Sequence, residues 1–221
     1  MGRSEKIRQG YSSGSEKCIQ LVDIGRICQG RIKHPQSVVN QELKLNKMST
    51  TAIFFGPLKG AVNRVADKLK NAIGEDKVVM IPVNTATVAD LEKYDKIIFG
   101  MSTVGKDTWD STYSINDWAK FLPEIGKTRY EGKTVAIFGL GDHVTYTATF
   151  VDHMAVLARE LMKNGAVLTG QVPASEYEFD DSEAVVDGKF FGLPIDEDFE
   201  PELTDERVEK WVKQIAPDFG F

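Results

Sequence analysis

Thr51-Ala-Ile-Phe-Phe55, followed by Gly56-Pro57-Leu58-Lys59-Gly60-Ala61-Val62-Asn63-Arg64, is the stretch on which the reading of this chain turns. The first five residues form a short apolar run, as a buried strand does. Val62, Val65, Ala66, Leu69 and Ile73 then share one face at helical spacing, which predicts a helix over about 61–73. Strand, glycine-bearing loop and helix make the unit that holds a phosphate on helix N–H groups. The placement suits that task, yet Gly56 to Val62 contains no Ser or Thr hydroxyl.

The same alternation continues downstream. Lys77-Val-Val-Met-Ile81 reads as a second strand stopped by Pro82, and Lys96-Ile-Ile-Phe99 as a third ended by Gly100. A polar loop runs from Met101 to Tyr113. A helix over about 115–122 follows, with Ile115, Trp118, Ala119 and Leu122 on its face and Ser114 as N-cap. Thr134-Val-Ala-Ile-Phe138 is a fourth strand ended by Gly139. A helix over about 149–164 carries Phe150, Met154, Leu157 and Leu161 and stops at Asn164-Gly165. Ala166-Val-Leu-Thr169 is strand five. Asp187-Gly188 between apolar runs is a hairpin signal. After an acidic linker, 196–203, a last helix begins near Thr204, with Asp205 and Glu206 in its first turn and Val208, Trp211, Val212 and Ile215 on its core face.

Short apolar strands alternating with helices predict a doubly wound α/β domain with a parallel sheet covered on both faces. Ligands of such sheets sit beyond the carboxyl ends of the strands. Those ends are Gly56-Pro57, Gly100-Met101-Ser102 and Gly139-Leu140-Gly141-Asp142.

The chain has 221 residues, enough for one domain plus an appendage. With 42% apolar and 27% charged residues it has the composition of an ordinary globule. No apolar run approaches the roughly 18 residues of a membrane span, and no secretory h-region is seen, so a cytoplasmic protein is expected. Cys18 and Cys28 fit no C-x-x-C motif and read as free thiols or an incidental pair, not a disulfide scaffold or metal site. The net charge of −6 is unevenly spread. Residues 1–47 hold nine Lys/Arg against four Asp/Glu, whereas 48–221 hold 18 against 29. An acidic globule repels nucleic acid and anionic membrane and attracts basic protein surfaces. Residues 1–47 show no sustained period and read as a disordered N-terminal extension, with a short helix at most over Ile19–Ile27. Met48 directly precedes the first good strand and reads as a possible true start, so the folded domain is expected over 48–221.

Several chemistries are disfavoured. His143 and His153 stand ten apart with no third ligand nearby, so no metal is expected. Gly139-x-Gly141-x-Asp142 is not G-x-G-x-x-G, which argues against NAD. No Ser-His-Asp or Cys-His set points to nucleophilic catalysis.

The collected residues resemble the long-chain flavodoxin family over 50–221. The most specific stretches are Tyr177-Glu-Phe with Ser182-Glu-Ala, Val186-Asp-Gly-Lys-Phe-Phe-Gly-Leu193, Leu203-Thr-Asp-Glu-Arg207, Trp211 and Asp218-Phe-Gly-Phe221. Phe138-Gly-Leu-Gly-Asp142 with Tyr146 and Phe150 resembles the family's third FMN loop. The resemblance implies a flavodoxin-like five-stranded parallel sheet of order 2-1-3-4-5, with a long-chain insertion in strand five. It implies a low-potential electron carrier, not an enzyme, that holds non-covalent FMN, works as a monomer and meets basic reductases or acceptors. The family's phosphate loop, G-S-x-T-G-x-T, is matched here by Gly56 and Gly60, with Pro57, Lys59 and Val62 in place of its hydroxyl residues, and Leu58 and Ala61 between. Ser102-Thr103-Val104 stands for the family's P-T-W, so the aromatic shielding one flavin face is displaced, and Trp109 is its substitute. Leu140 and His143 replace a threonine and a glutamine in the third loop, Gly139, Gly141 and Asp142 are kept, and Tyr146 is the second stacking aromatic. The phosphate is expected on backbone N–H groups and a basic side chain, Lys59 in preference to Arg64. The lost hydroxyls leave one rival reading, a flavodoxin-fold binding or regulatory module without FMN. A flavin enzyme acting on a small substrate such as a quinone is a third.

Overall fold

Burial on both faces explains why the strands are apolar without alternation. Strand β1 (Thr51–Phe55) sends Ala52 and Phe54 into one core and Ile53 and Phe55 into the other. Helices α1 (Ala61–Ile73) and α5 (Thr204–Phe219) cover the second face, with Leu69, Trp211 and Ile215 buried there. Helices α3 (Asp117–Ile125) and α4 (His153–Lys163) cover the first, with Trp118, Phe121, Met154 and Leu157. The computed structural model describes residues 50–102 and 117–221, all inside a unit spanning Lys47–Phe221. The readings made on 1–47, Ser114 and Ile115 lie outside the described residues.

Strands β2 (Val78–Pro82), β3 (Lys96–Ser102), β4 (Thr134–Leu140) and β5 (Val167–Thr169) complete a parallel sheet in the order β2-β1-β3-β4-β5. Thr51 pairs with Val78 on one side and Lys96 on the other, and Lys96 pairs with Thr134. The β5 strand pairs only with the first half of β4, Thr134–Ala136. The second half, Phe138–Leu140, pairs with Leu193–Ile195 far downstream. Residues 170–192 therefore leave the last lane of the sheet and return to it. They carry β6 (Val172–Pro173), β7 (Val185–Val186) and β8 (Lys189–Phe190) as an antiparallel set, so Leu193–Ile195 is β9. Asp187 and Gly188 have φ of 52° and 73° at the β7–β8 turn, the left-handed pair a two-residue hairpin uses.

The expected strand ends at Gly100 and Gly139 need correction. Both glycines lie inside their strands because a side chain crosses each. A β-carbon on Gly100 would stand 2.0 Å from the Phe138 ring, and one on Gly139 2.4 Å from the Met154 side chain. The α4 helix starts later than its periodicity suggests, since Val151 has φ of 51° and Phe150 is buried in a turn before it. Pro82 is the last residue of edge strand β2 instead of its stop, where a missing N–H is tolerated. Sequence reading missed α2 (Val88–Lys93), which a Thr87–Asp90 capping box starts. No described helix is long and apolar enough to cross a membrane, and the described residues hold no group of three metal-ligating side chains.

Candidate functional site

The carboxyl ends of β1, β3 and β4 open onto a cleft of about 260 Å³. Pro57, Ala61, Val62, Ser102, Leu140, Gly141, Asp142 and Tyr146, each a candidate from the sequence, line it. Gly56, Leu58, Lys59, Gly60 and Gly139 belong to the same loops but are not in its lining. Leu58 and Lys59 are exposed and Gly139 is buried within β4. Thr103, Val104 and Trp109 lie outside the described residues. Two lining residues were missed, Glu197 and Asp198. Their signal was the acidic stretch Asp196-Glu-Asp-Phe-Glu200, read as a linker because charge runs are usually solvated.

Packing fixes the first loop. The Gly56 N–H donates to the Gly100 carbonyl at 3.2 Å, and the buried Trp118 indole Nε1 donates to the Gly56 carbonyl at 3.1 Å. A β-carbon on Gly56 would sit 2.5 Å from Val83 Cγ2, so only glycine fits beneath Trp118. Lys59 takes φ of 63°, and the loop then enters α1 through extended Gly60. No side chain caps α1, and no acid stands in its first turn. By contrast α2 has its full capping box, and α5 starts with Asp205 and Glu206. The N–H groups and positive dipole end of α1 are thus left to whatever enters the cleft beside Ala61 and Val62.

Carboxylates fix the third loop. Asp142 Oδ1 accepts from the N–H groups of Val144 at 2.9 Å and Thr145 at 2.6 Å. Asp196 is fully buried, and its Oδ2 accepts from His143 N–H at 3.0 Å and meets His143 Nδ1 at 2.6 Å. Its Oδ1 accepts from the N–H groups of Asp198 and Phe199, each at 2.8 Å. Burial pushes this carboxyl up, but the hydrogen bonds from Phe199, His143 and Asp198 outweigh it and hold it below the ordinary carboxylate range. An ionised carboxylate only accepts, so His143 Nδ1 carries the proton between them. Gly141 N–H donates to the Ile195 carbonyl at 3.0 Å. The loop ends on Tyr146, 58% exposed at the edge of the cleft.

Arg64 of α1, outside the lining, pairs with one wall of the cleft. Its Nη2 lies 3.2 Å from Glu197 Oε2, and Glu197 Oε1 accepts from the buried Thr204 hydroxyl at 2.6 Å. A larger cleft, about 320 Å³, lies between α5 and residues 171–189. Two of its cations already face carboxylates, Arg207 with Glu200 and Lys210 with Glu176, both at 2.7 Å. It lacks the loops of the strand ends, so the smaller cleft is the candidate site.

The Flavodoxin family model matches residues 53–211. Flavodoxin 1 of Azotobacter vinelandii is 38% identical over 176 residues, 78% of this chain and 98% of that protein. The flavodoxin of Trichodesmium erythraeum is 36% identical over 175 residues, 78% of this chain and 99% of that protein. A flavodoxin of Fusobacterium nucleatum, solved bound to flavin mononucleotide, superposes with a TM-score of 0.68 at 22% identity, covering 77% of this chain and 98% of that one. With a matching sheet order and relatives aligned along almost their whole length, this chain belongs to the flavodoxin family.

Proposed function

We propose that the cleft at the carboxyl ends of β1, β3 and β4 holds FMN, its phosphate toward Gly56–Val62 and its ring toward Tyr146. The chain is a flavodoxin, an electron carrier and not an enzyme, and FMN is its cofactor. The observation that carries the site assignment is the start of α1, uncapped, free of first-turn acids and facing the same cleft as an exposed tyrosine. Helix N-terminal N–H groups bind an anion without any hydroxyl, so losing the loop's Ser and Thr side chains does not remove the subsite. When bound, the flavin supplies the one-electron chemistry. The protein's part is to hold and tune. Gly56 and Trp118 set the height of the phosphate loop. Asp142 and the His143–Asp196 pair set the path of the ring loop. The carboxylates of Asp142, Glu197 and Asp198 disfavour additional negative charge in the cleft and so favour a low potential.

Flavodoxins pass electrons to partner proteins. For this chain the acid excess of 48–221 supports docking on a basic reductase or acceptor surface, weakened by added salt. Titration with FMN and with riboflavin, followed by quenching of flavin fluorescence, tests the site. FMN is expected to bind more tightly than riboflavin. A folded protein that binds neither flavin overturns the assignment.

A further inference from the structure

A phosphate in this cleft meets opposing charge. Asp142, Glu197 and Asp198 line the cleft, and the loop offers no hydroxyl. A phosphate monoester carries about −1.5 to −2 at pH 7. The α1 dipole supplies roughly half a positive charge, too little to offset three carboxylates. A side-chain cation would offset them, and the loop and the first turn of α1 hold two, Lys59 and Arg64. Both are exposed and neither lines the cleft, so what separates them is contact with its wall. Arg64 lies one turn into α1, its N–H on the Gly60 carbonyl, and its guanidinium touches a wall residue of the cleft, Glu197. The two partners differ in constraint. The Glu197 side chain is only 9% exposed and is anchored by Thr204, while that of Arg64 is 62% exposed.

Resting on the flavin reading above, we infer that Arg64 is the phosphate-binding side chain of this site and that Glu197 is its built-in competitor. The carboxylate holds the guanidinium at the rim of the cleft and is exchanged for the phosphate when FMN enters. A guanidinium fork matches either oxyanion, so the exchange replaces one ion pair by another of higher charge. Glu197 then sets how strongly phosphorylated flavin is preferred over unphosphorylated. Its removal frees Arg64 and deletes one repulsive charge.

The test uses the full chain with FMN and riboflavin as ligands, comparing Arg64→Ala, Arg64→Lys, Glu197→Gln and Lys59→Ala. Arg64→Ala is expected to weaken FMN about tenfold or more, the scale of a lost charged hydrogen bond, and to leave riboflavin unchanged. Arg64→Lys restores part of the loss. Glu197→Gln keeps an acceptor for Thr204 and strengthens FMN several-fold without affecting riboflavin. Lys59→Ala weakens FMN by less than Arg64→Ala does and leaves riboflavin unchanged. The ³¹P resonance of bound FMN shifts more in Arg64→Ala than in Lys59→Ala, a readout that loss of stability would not produce. Equal weakening of both flavins by Arg64→Ala, unchanged FMN affinity in that variant, or weaker FMN binding in Glu197→Gln overturns the inference. Wild-type protein that binds riboflavin as well as FMN also overturns it, while leaving the ring site intact. Protein that binds neither flavin brings down the functional reading and this inference together.

Discussion

The two loops that bound the cleft are held by opposite means. Residues 56–62 have almost no polar side chains of their own, and steric fit fixes them. Gly56 is wedged against Val83 under an indole that also bonds its carbonyl. Residues 139–146 are tied by carboxylates, with Asp142 folding its own turn and Asp196 collecting four contacts from residues that it brings together. A loop shaped by packing keeps its backbone N–H groups for a ligand. A loop shaped by buried carboxylates gains rigidity but carries negative charge into the site. The end of the cleft proposed for the phosphate is therefore the open one, and the end proposed for the ring the rigid one.

The comparison breaks most severely at Asp196. Asp196→Ala leaves three N–H groups and the His143 ring without their acceptor, and a loss of about 3–5 kcal/mol at neutral pH is expected, read by urea unfolding. Asp196→Asn adds a pH signature. A carboxyl held low in the folded state contributes stability that is fully present above the unfolded value of about 3.9 and is lost as pH falls through the folded value. The gap between wild type and Asp196→Asn should therefore close in acid. A gap that is constant with pH would show that the charge on Asp196 is unimportant. Gly56→Ala comes next. Its β-carbon overlaps Val83, and a cost of about 1–3 kcal/mol is expected, together with weaker FMN relative to riboflavin. Unchanged stability would mean that the first loop is less tightly fitted than its contacts indicate.

Tyr146→Leu sharpens the contrast without touching the fold. The side chain is half exposed, so unfolding should not change, while both flavins bind weaker by about 0.5–1.5 kcal/mol, the scale of an aromatic pair. A change confined to FMN would place the ring elsewhere. The smallest effect is expected from outside both loops. Deleting residues 1–47 should leave the melting temperature and flavin affinity unaltered, the outcome expected from a stretch whose sequence shows no sustained apolar period. A lower melting temperature would show that it packs on the domain.

Local chemistry made much of this legible in advance. Apolar runs, helical spacing and Asp187-Gly188 each act over a few residues, and the β1–loop–α1 unit and the hairpin stand where such signals put them. Glycine misled the reading when taken as punctuation. At Gly100 and Gly139 it is a response to Phe138 and Met154, and for Met154 the partner lies fifteen residues on. The acidic stretch at 196–200 misled it in the same way, since a charge run looks solvated until a distant loop supplies its donors.

By itself the sequence determined the α/β alternation, the β1–loop–α1 unit, and the absence of hydroxyls from residues 56–62. These are properties of contiguous residues. Only the tertiary structure decided that strand five would be completed by Leu193–Ile195, that Asp196 would be buried beneath His143, and that Arg64 would meet Glu197 across 133 positions of chain. Each depends on two segments brought together by burial of their neighbours, and the free energy of such a contact exists only once the core has formed.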